Sequence, residues 1–593
     1  MKKLINIKID GIDVETTAGQ TILEAAKSIG IKIPSLCYLQ MKEIGYKNNC
    51  SSCRICVVEV KGRKNLAASC STPVVEGMEI TTNSLRVIKE RKTILELMLS
   101  DHPADCLVCE KNGKCDLQKL AVEFGIREIR FKGKKTNNRV EYSPSIIRDA
   151  DKCILCKRCE TMCRDIQTCN VLSSINRGFN ASMATAFEQN LDTTICTNCG
   201  QCVAVCPVGA LHETDYTKQL FNDLSNKEKQ VIVQVAPAVR VAIGEEFGFA
   251  PGEEFGFAPG EDLTGKLVTA LKMVGFSHVF DTNFAADLTI MEEASELKAR
   301  LEKYLAGEPT KLPLITSCCP AWVKFAEHHF HNFLGNLSTA KSPQQMFGAV
   351  AKNVWAKENG ISKEKIICVS IMPCLAKKYE ASRHKFKDGG IPDVDYSIST
   401  RQLASLLKQA NIDLRTLPES KFDNPLGYST GAADIFGKTG GVIEAATRSL
   451  YEWVTGEELE KVDFEQFRGI EGIRIAEIPV NGIKLRIGVV NGLGAARELL
   501  NKIERGEESL HAIEVMACKG GCVGGGGQPF HYGNFEIVKE RIKGLEKIDS
   551  GKIIRKSHDN PYIIELYKKY FGEPLSHEAH HLLHTYYSPK KRI

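Results

Sequence analysis

The sequence predicts a multidomain α/β protein in which a metal-rich N-terminal third precedes a larger C-terminal domain. At 593 residues the chain is too long to fold around one hydrophobic core. It contains 23 cysteines, an odd number, and 17 of them lie in the first 206 residues. Such clusters favour metal binding over a disulfide framework when no secretion signal is present. From about residue 228, apolar strands alternate with helical segments, which is typical of an α/β domain.

Composition and charge exclude several classes of function. Hydrophobic residues make up 43% of the chain and charged residues 25%, as in ordinary globular proteins. A net charge of +5 is small for this length and argues against nucleic-acid and acidic-membrane partners. Lys8 and Asp10 interrupt any signal-type apolar segment, and no run approaches the roughly 18 apolar residues of a membrane helix. We therefore expect a cytoplasmic protein.

The first module, predicted over residues 1–82, begins with the alternating isoleucines of "LINIKIDG" and the short helix "TILEAAKSIG". Two of its cysteines lead into a β-branched strand in "SCRICVVEVKG", with one cysteine before them and one after. This arrangement resembles the 2Fe–2S module of plant-type ferredoxins, which implies a β-grasp domain. The predicted ligands are Cys37, Cys53, Cys56 and Cys70. Cys50 is a fifth candidate that could replace Cys53, and a zinc site is the minority alternative.

The second module, residues 83–142, contains "DHPADCLVCEKNGKC". Its candidate ligands are His102, Cys106, Cys109 and Cys115. One histidine with three cysteines is also a common zinc set, so in isolation zinc and a histidine-ligated 4Fe–4S cluster are equally good interpretations. The neighbouring modules favour the 4Fe–4S cluster.

The third module, residues 143–222, carries the most specific pattern in the chain. "CILCKRCETMC" and "CTNCGQCVAVCP" both have the C-x2-C-x2-C-x3-C spacing of bacterial ferredoxins, in which the fourth cysteine binds the other cluster. The predicted ligand sets are therefore Cys153, Cys156 and Cys159 with Cys206, and Cys196, Cys199 and Cys202 with Cys163. Cys169 is interpreted as a buried thiol. One 2Fe–2S and three 4Fe–4S clusters in series would carry single electrons from a surface donor to a buried site.

In the C-terminal domain, predicted over residues 223–593, three apolar strands run directly into cysteines. These segments are "KLPLITSCCP", "KIICVSIMPC" and "SLHAIEVMACKGGC". Ligands bind beyond the carboxyl ends of strands in open α/β sheets. The three strands are therefore expected to bring their cysteines to one crevice.

Here the chain resembles a known family over nearly its whole length. "TSCCPAW", "MPCLAKKYE" and "MACKGGCVGGGGQP" resemble the three signature motifs of iron-only hydrogenases. The N-terminal modules resemble the accessory domains of the clostridial-type enzymes, and the chain also resembles the catalytic subunits of NAD(P)-linked hydrogenase complexes. The resemblance implies reversible reduction of protons to dihydrogen at an H-cluster. That cofactor is a 4Fe–4S cluster bridged to a diiron centre with carbon monoxide, cyanide and a dithiolate amine.

The resemblance also implies roles for individual residues. The cubane ligands would be Cys319, Cys374, Cys518 and Cys522, with Cys522 also bridging to the diiron centre. Lys377 would contact a cyanide, since a buried ammonium needs an anionic partner. The other pocket residues would be Pro237, Ala238, Gln344, Met372, Pro373, Phe436 and Met516. The proton route would use Cys318, Glu293, Glu296, Arg300 and Ser338. Apart from the resemblance, these residues are interpreted as ordinary core and as a solvated helix face.

Several further expectations concern partners and unusual segments. The implied electron partner is ferredoxin or a separate flavin subunit that binds NAD(P), because the chain has no nucleotide-binding glycine fingerprint of its own. Maturation proteins would insert the cofactor. The alternative function is a non-catalytic relative that handles iron–sulfur clusters in assembly. "GEEFGFAP" occurs twice, at 244–251 and 252–259, and we expect folding and activity to survive the duplication. The His-rich end "LSHEAHHLLHTYYSPKKRI" is expected to form a solvated helix.

Overall fold

A computed structural model of the chain describes residues 3–48, 51–133, 140–247, 257–480 and 482–591. The candidate ligand Cys50 lies outside these residues, as does the centre of the GEEFGFAP repeat.

The N-terminal module is a five-stranded mixed sheet that carries one helix. In spatial order its strands are Ile12–Thr17, Leu4–Ile9, Glu79–Thr81, Val57–Val60 and Ala67–Ala68. The alternating isoleucines point into the core while their neighbours are exposed, as the period of a strand requires. The helix Ile22–Ser28 begins with a capping box between Thr21 and Glu24. The sheet and helix confirm the predicted ferredoxin-like fold.

The second module is mainly helical and is anchored to the first. Its elements are the helix Leu85–Asp101, the 3-10 turn Cys106–Val108 and the helix Asp116–Glu123. Ser84 caps the long helix by accepting from the Val87 N–H. The buried Arg91 guanidinium donates to the Val57 carbonyl at 2.8 Å, which fixes the helix against the N-terminal sheet.

The ferredoxin-like module repeats one backbone path twice. Lys157 and Gly200 occupy the same position in the two cysteine runs, and both have left-handed backbone with φ of 62° and 74°. Each is followed by a short helix, Arg158–Thr161 or Gln201–Val205. The remaining elements are the sheet Leu211–Glu213, Ile146–Asp149 and Val140–Tyr142, the hairpin Ser173–Ile175 with Ser182–Ala184, and the π-helical turn Met162–Ile166.

The C-terminal domain contains two four-stranded sheets rather than one. The first is parallel throughout, in the order His278–Asp281, Gln230–Val235, Ile366–Met372 and Tyr396–Ser399. The second has the order Leu314–Ile315, Ala512–Met516, Ile483–Asn491 and Ile473–Val480, and only its last pair is antiparallel. The cysteine-bearing strands are thus divided between two sheets, yet their carboxyl ends meet at one place.

Helices surround both sheets. The longest, Thr282–Leu305, has 24 residues and is buried along much of its length. The other helices up to residue 409 are Thr217–Ser225, Pro237–Arg240, Thr264–Val274, Pro320–His329, Pro343–Val350, Ala356–Glu358, Ala376–Ser382 and Thr400–Gln409. Those that follow are Gly431–Asp434, Gly441–Thr455, Leu493–Glu504, Phe535–Gly551, Pro561–Leu566 and His577–Leu583.

The C-terminal segment packs into the protein, so the expectation of a solvated terminal helix was wrong. Ala579 and Leu583 of the last helix are fully buried. The next residue, His584, is buried with its Nε2 2.9 Å from the Glu292 carboxylate. Apolar residues at the spacing of one helix face, rather than the histidines, decide the packing. Within the described ranges, no helix combines the length and apolar character needed to span a membrane.

Candidate active site and electron relay

A cavity with about 740 Å³ of unfilled space lies where strands from both sheets of the C-terminal domain end. All eleven candidate ligand and pocket residues of this domain line it, together with Cys318 and Lys377. They are Cys319, Cys374, Cys518, Cys522, Pro237, Ala238, Gln344, Met372, Pro373, Phe436 and Met516. Residues as far apart as 237 and 522 are thus brought together. The parallel strands all point their carboxyl ends toward the cavity, which explains the convergence.

The cavity suits an iron–sulfur cluster bound through cysteine thiolates. Burial raises the pKa of the Cys374 thiol to about 12 and that of Cys518 well above its usual range, and neighbouring cysteines add to both effects. Burial likewise raises the pKa of Cys319, although N–H groups of Ala517 and of the following helix partly oppose this. Thiols in such surroundings ionise when metal is bound. The donor set therefore fits a multi-iron cluster.

Lys377 has a carboxylate partner that the sequence did not reveal. Its Nζ donates to Glu380 Oε2 at 2.9 Å and to the Cys318 carbonyl at 3.1 Å. Burial alone would lower the pKa of Lys377, but the charge and hydrogen bond of Glu380 outweigh it and raise the pKa. Glu380 also accepts from Ser342 at 2.8 Å and from Gln344 at 2.9 Å. The expected cyanide is therefore not the only possible anionic partner, because Glu380 already supplies one.

Two other buried residues fix the cavity wall and were missed in the sequence. Gln528 donates to the Ala238 carbonyl at 2.7 Å. Glu514 is fully buried and accepts from the Gly440 N–H at 2.6 Å and the Ile443 N–H at 3.0 Å. It thereby holds the segment after Phe436 against the second sheet. Neither residue carries a recognisable sequence signal, because their partners are 71 to 290 positions away.

The candidate proton route leads from the cavity along the long helix. Burial raises the pKa of the Glu293 carboxyl to about 8, partly opposed by the Ser317 N–H, and the nearby Glu296 charge adds to the increase. Ser338 Oγ donates to Glu296 Oε2 at 3.0 Å, and Arg300 Nη2 donates to Glu296 Oε1 at 2.6 Å. These side chains lie outside the cavity, and Cys318 stands between them and its interior. Burial raises the pKa of the Cys318 thiol well above its usual range, with Glu293 contributing.

The glycine-rich stretch after Cys522 allows close approach to protein backbone. A Cβ on Gly526 would lie 2.7 Å from the Cys199 carbonyl oxygen, and one on Gly527 would lie 3.0 Å from the Pro373 carbonyl carbon. Gly526 lets the ferredoxin-like module reach the catalytic loop.

The ferredoxin-like module brings its cysteines together in the predicted crossed sets. A second cavity is lined by Cys153, Cys156, Cys159 and, from the other run, Cys206. In the other set, burial raises the pKa of the Cys202 thiol and the charges of Cys199, Cys196 and Cys163 all add to the increase, which places the four sulfurs near one another. Cys169 is buried, with its sulfur 3.5 Å from the Gln167 carbonyl oxygen. The crossed arrangement follows from the repeated backbone path, since each run ends beside the start of the other.

The two outer modules also group their candidate ligands. The thiols of the first module lie close enough to affect one another, because Cys53 and Cys70 lower the pKa of the Cys37 thiol and Cys70 lowers the pKa of the Cys56 thiol. In the second module, His102 Nδ1 lies 3.0 Å from the Pro103 carbonyl. Its Nε2 is buried with no hydrogen-bond partner among the described residues. A buried nitrogen of this kind fits a metal ligand whose other ring nitrogen is held by a carbonyl.

In the part of the chain that the structure describes, no three His, Cys, Asp or Glu side chains converge on a point suited to a single metal ion. Iron–sulfur clusters do not require that convergence. Their cysteines bind different irons of one cluster and surround a larger space.

Cysteine-rich modules that lead to a buried cavity are the organisation of an iron–sulfur oxidoreductase with an internal catalytic site. Residues 229–526 match the family "Iron only hydrogenase large subunit, C-terminal domain", and the chain belongs to the iron-only hydrogenases. Residues 2–84 match a 2Fe–2S cluster binding domain and residues 91–130 an iron–sulfur binding region of NADH-ubiquinone oxidoreductase. Residues 143–212 match a ferredoxin-like domain of NADH-quinone oxidoreductase subunit 3, and residues 535–590 match "Iron hydrogenase small subunit".

Individual relatives extend this likeness over the whole chain. The NADP-reducing hydrogenase subunit HndD of Solidesulfovibrio fructosivorans is 58% identical over 592 residues, covering 100% of both chains. Iron hydrogenase 1 of Clostridium pasteurianum is 39% identical, with 99% of this chain and 100% of that protein covered. A structure of a variant of FeFe-hydrogenase HydA1 from Chlamydomonas reinhardtii is 40% identical with a TM-score of 0.56, covering 63% of this chain and 99% of that one. The predicted family, fold class and enzyme class are confirmed.

Proposed function

We propose that this hydrogenase reduces protons reversibly to dihydrogen at a 4Fe–4S cluster joined to a diiron centre. Cys319, Cys374, Cys518 and Cys522 would hold the cubane, and Cys522 would bridge to the diiron centre. One observation carries the proposal: these four cysteines line a single buried cavity together with Cys318 and Lys377. When bound, the cofactor supplies the iron chemistry that makes and cleaves dihydrogen.

The protein's own groups would position the cofactor and exclude water. Lys377, oriented by Glu380, presents a cation at the cavity wall, where it can bind a cyanide ligand of iron. Gln344 is held by Ser370, Glu380 and the Lys377 carbonyl, so its amide has a fixed orientation. Met372, Phe436 and Met516 supply apolar surface. Ala238 lies where some family members have serine, and the bond that a hydroxyl would make is absent from this chain.

Protons would move between Cys318 and the surface through Glu293, Ser338, Glu296 and Arg300. A carboxyl with a pKa of about 8 can both give and accept a proton near neutral pH. Glu293 would exchange its proton with the Cys318 thiol. Arg300, hydrogen-bonded to Glu296, marks the outer end of the route.

Electrons would pass through one 2Fe–2S and three 4Fe–4S clusters before they reach the cubane. We infer that the ligands of these four clusters are the candidate residues of the first module, those of the second module, and the two crossed cysteine sets of the ferredoxin-like module. The cluster bound by Cys163, Cys196, Cys199 and Cys202 would be the last before the catalytic site, because its loop contacts the catalytic loop. A chain rich in free cysteines is in keeping with a reducing, cytoplasmic location.

The electron partner is proposed to be a separate flavin subunit that binds NAD(P), with ferredoxin as the second candidate. Support comes from HndD, whose name describes a subunit of an NADP-reducing hydrogenase. Affinity purification from the native cells tests the choice. Co-purification of a flavoprotein that confers NAD(P)H-dependent turnover supports the first partner, whereas full turnover with ferredoxin alone supports the second. Dedicated maturation proteins would be needed for cofactor insertion.

The alternative is a non-catalytic protein of iron–sulfur cluster assembly. Such a role would not require Cys318, Lys377 and an acidic route together, whereas this chain has Cys318 and Lys377 at the cavity and the acidic side chains beyond Cys318. Infrared spectra of anaerobically purified protein, made in cells that carry the maturation machinery, distinguish the two. Bands of iron-bound carbon monoxide and cyanide support the hydrogenase. Their absence from protein with fully loaded iron–sulfur clusters would favour the assembly role.

A further inference from the structure

Gln201 links the ferredoxin-like module directly to a proposed ligand of the catalytic cubane. It stands between Cys199 and Cys202 in the sequence, and its side chain is buried. Its Nε2 donates to Cys518 Sγ at 3.2 Å and to the Gly524 carbonyl at 3.0 Å. Both hydrogens of the amide nitrogen are therefore used across the boundary between the two modules.

The backbone of the two modules is closely packed around this contact. A Cβ on Gly526 would lie 2.7 Å from the Cys199 carbonyl oxygen and also 2.7 Å from the Gly200 carbonyl carbon. On the other side, a Cβ on Gly200 would lie 2.7 Å from Leu375 Cδ1. Main chain thus packs against main chain on one side of Gln201, and the amide cannot move away from the Cys518 sulfur without displacing a loop.

This hydrogen bond should shift the reduction potential of the cubane in one direction only. In the proposed relay, the cluster held by Cys163, Cys196, Cys199 and Cys202 would supply one electron to the cubane, and the Cys518 sulfur would then carry more negative charge. An N–H that points at a ligand sulfur stabilises the more negative state. Hydrogen bonds to ligand sulfurs are among the factors that set the potentials of iron–sulfur clusters. A donor on Cys518 therefore favours the reduced cubane.

We propose that Gln201 is a positioning residue that raises the reduction potential of the catalytic cubane through Cys518. The proposal rests on the ligand assignment made under the proposed function. It adds a specific residue of the accessory module that acts on the catalytic cluster.

The test compares Gln201→Leu with Gln167→Leu in the full-length holoenzyme. Gln167 is a matched control, because it is also buried and also crosses to the catalytic domain. Its side chain donates to the Ala517 carbonyl at 2.9 Å and accepts from the Leu493 N–H at 3.0 Å, and among the described residues this side chain makes no bond to a sulfur. Both substitutions remove an amide of the same size from the same interface.

The readout is the midpoint potential of the cubane in a redox titration followed by infrared bands of iron-bound carbon monoxide. The same potential is measured by electron paramagnetic resonance in protein made without the diiron maturation machinery. Gln201→Leu is expected to lower the midpoint by about 59 mV, which corresponds to a tenfold change in a one-electron equilibrium. Gln167→Leu should leave it unchanged. Gln201→Met, which preserves length, is the substitute if the leucine variant does not load its clusters.

Two results would overturn the proposal. One is an unchanged cubane midpoint in a fully loaded Gln201 variant, and the other is an equal shift in the Gln167 control. Failure of the proposed function gives a different outcome. In that case the infrared bands are missing or no cubane signal is found in the wild-type protein.

Discussion

Ionisation of Glu293 should affect both the turnover and the stability of the protein. The Glu293 pKa of about 8 in the folded protein lies above the ordinary value of 4.5. Between these values the native carboxyl keeps a proton that the unfolded chain has lost. Stability from this group is therefore greatest below about pH 4.5 and declines as the pH rises toward 8.

Glu293→Gln should lower turnover at least about 100-fold, since a general acid–base group is lost. As the pH rises from 5 to 8, the thermal midpoint of the variant should fall less than that of the wild-type protein, because the variant lacks the carboxyl that titrates in this range. A turnover assay checks the first effect and differential scanning calorimetry at several pH values checks the second, with iron content as the control for cluster loading. Parallel pH profiles for the two proteins would contradict the assigned pKa.

Glu380→Gln tests the pairing of Lys377. The substitution preserves shape but leaves a buried ammonium without its carboxylate, and breaking a buried pair costs about 3–5 kcal/mol. We expect a clear loss of stability on chemical unfolding. Glu498→Gln removes an exposed partner of Lys502 and should cost less than about 1 kcal/mol. Equal losses in the two variants would show that Glu380 is not required as a counter-ion.

At the residue scale, the sequence predicted the groups that belong to motifs and missed those that support them. Cys374 and Lys377 could be assigned because three positions separate them in a recognisable segment. Gln528 and Gln201 could not, because each is an ordinary polar residue whose role depends on a partner from a distant part of the chain. Glu380 differs, since it lies three positions from Lys377, a helical spacing that could have indicated the pair.

At the scale of structural elements, one copy of the duplicated GEEFGFAP segment can be deleted without removing a described contact. Removing residues 248–255 leaves one copy and keeps the described contacts of the segment. Glu245 still pairs with Arg541 through two bonds of 2.7 Å, and Glu246 still pairs with Lys114. Loop length affects closure entropy by only about 0.6 kcal/mol per doubling. We expect turnover within twofold of the wild type and a thermal midpoint within a few degrees.

Arg541→Gln in the shortened chain is the control for that deletion, because it leaves the Glu245 carboxylate without its buried partner. It should lower the thermal midpoint well beyond any effect of the deletion. Loss of turnover in the shortened chain itself would mean that the second copy has a function.

The glycine run gives a second prediction at this scale. Gly526→Ala places a methyl group against the Cys199 carbonyl and should push the ferredoxin-like loop away from the catalytic loop. Electron transfer to the cubane should slow at least tenfold in flash-reduction experiments. Gly551→Ala is the matched control, since a Cβ there would meet no atom within 4 Å. A normal transfer rate in Gly526→Ala would show that the loops tolerate separation.

Strand assignments illustrate how far elements could be predicted. Ile366–Met372 follows directly from its apolar run. The division into two sheets could not be foreseen, because pairing between strands such as Leu314–Ile315 and Ala512–Met516 joins segments about 200 residues apart. Apolar periodicity identifies a strand but does not specify its neighbour.

For the whole molecule, the boundary between the accessory modules and the catalytic domain is a buried polar interface. Lys378 is fully enclosed, with Nζ 3.3 Å from the Glu213 carboxylate and 2.7 Å from the Thr214 carbonyl. Ser145 Oγ donates to the Leu375 carbonyl at 2.7 Å. Cysteine spacing predicted the modules themselves, whereas these contacts between them have no counterpart in local sequence.

A chain that begins at residue 143 should therefore be stable, whereas a chain that begins at residue 223 should not. A chain of residues 143–593 keeps the partners of Lys378 and should retain turnover with a small-molecule reductant. A chain of residues 223–593 lacks Glu213 and Thr214, so the Lys378 ammonium loses its carboxylate partner and keeps Gln402 as a described partner. The thermal midpoint of this chain should be lower. Lys378→Met in the shorter chain should recover part of the loss. Equal thermal midpoints for the two truncated chains would contradict this.

The hydrogen bond from Gln201 to Cys518 also has a reciprocal consequence. If contact with the accessory module makes the cubane easier to reduce, a thermodynamic cycle requires that reduction strengthen the contact by the same free energy. The accessory module would then be bound more tightly to the catalytic domain when the catalytic site is reduced than when it is oxidised. Amide hydrogen exchange at residues 199–203 should accordingly be slower under dihydrogen than under an oxidant, and this redox-dependent difference should shrink when Gln201 is replaced by leucine.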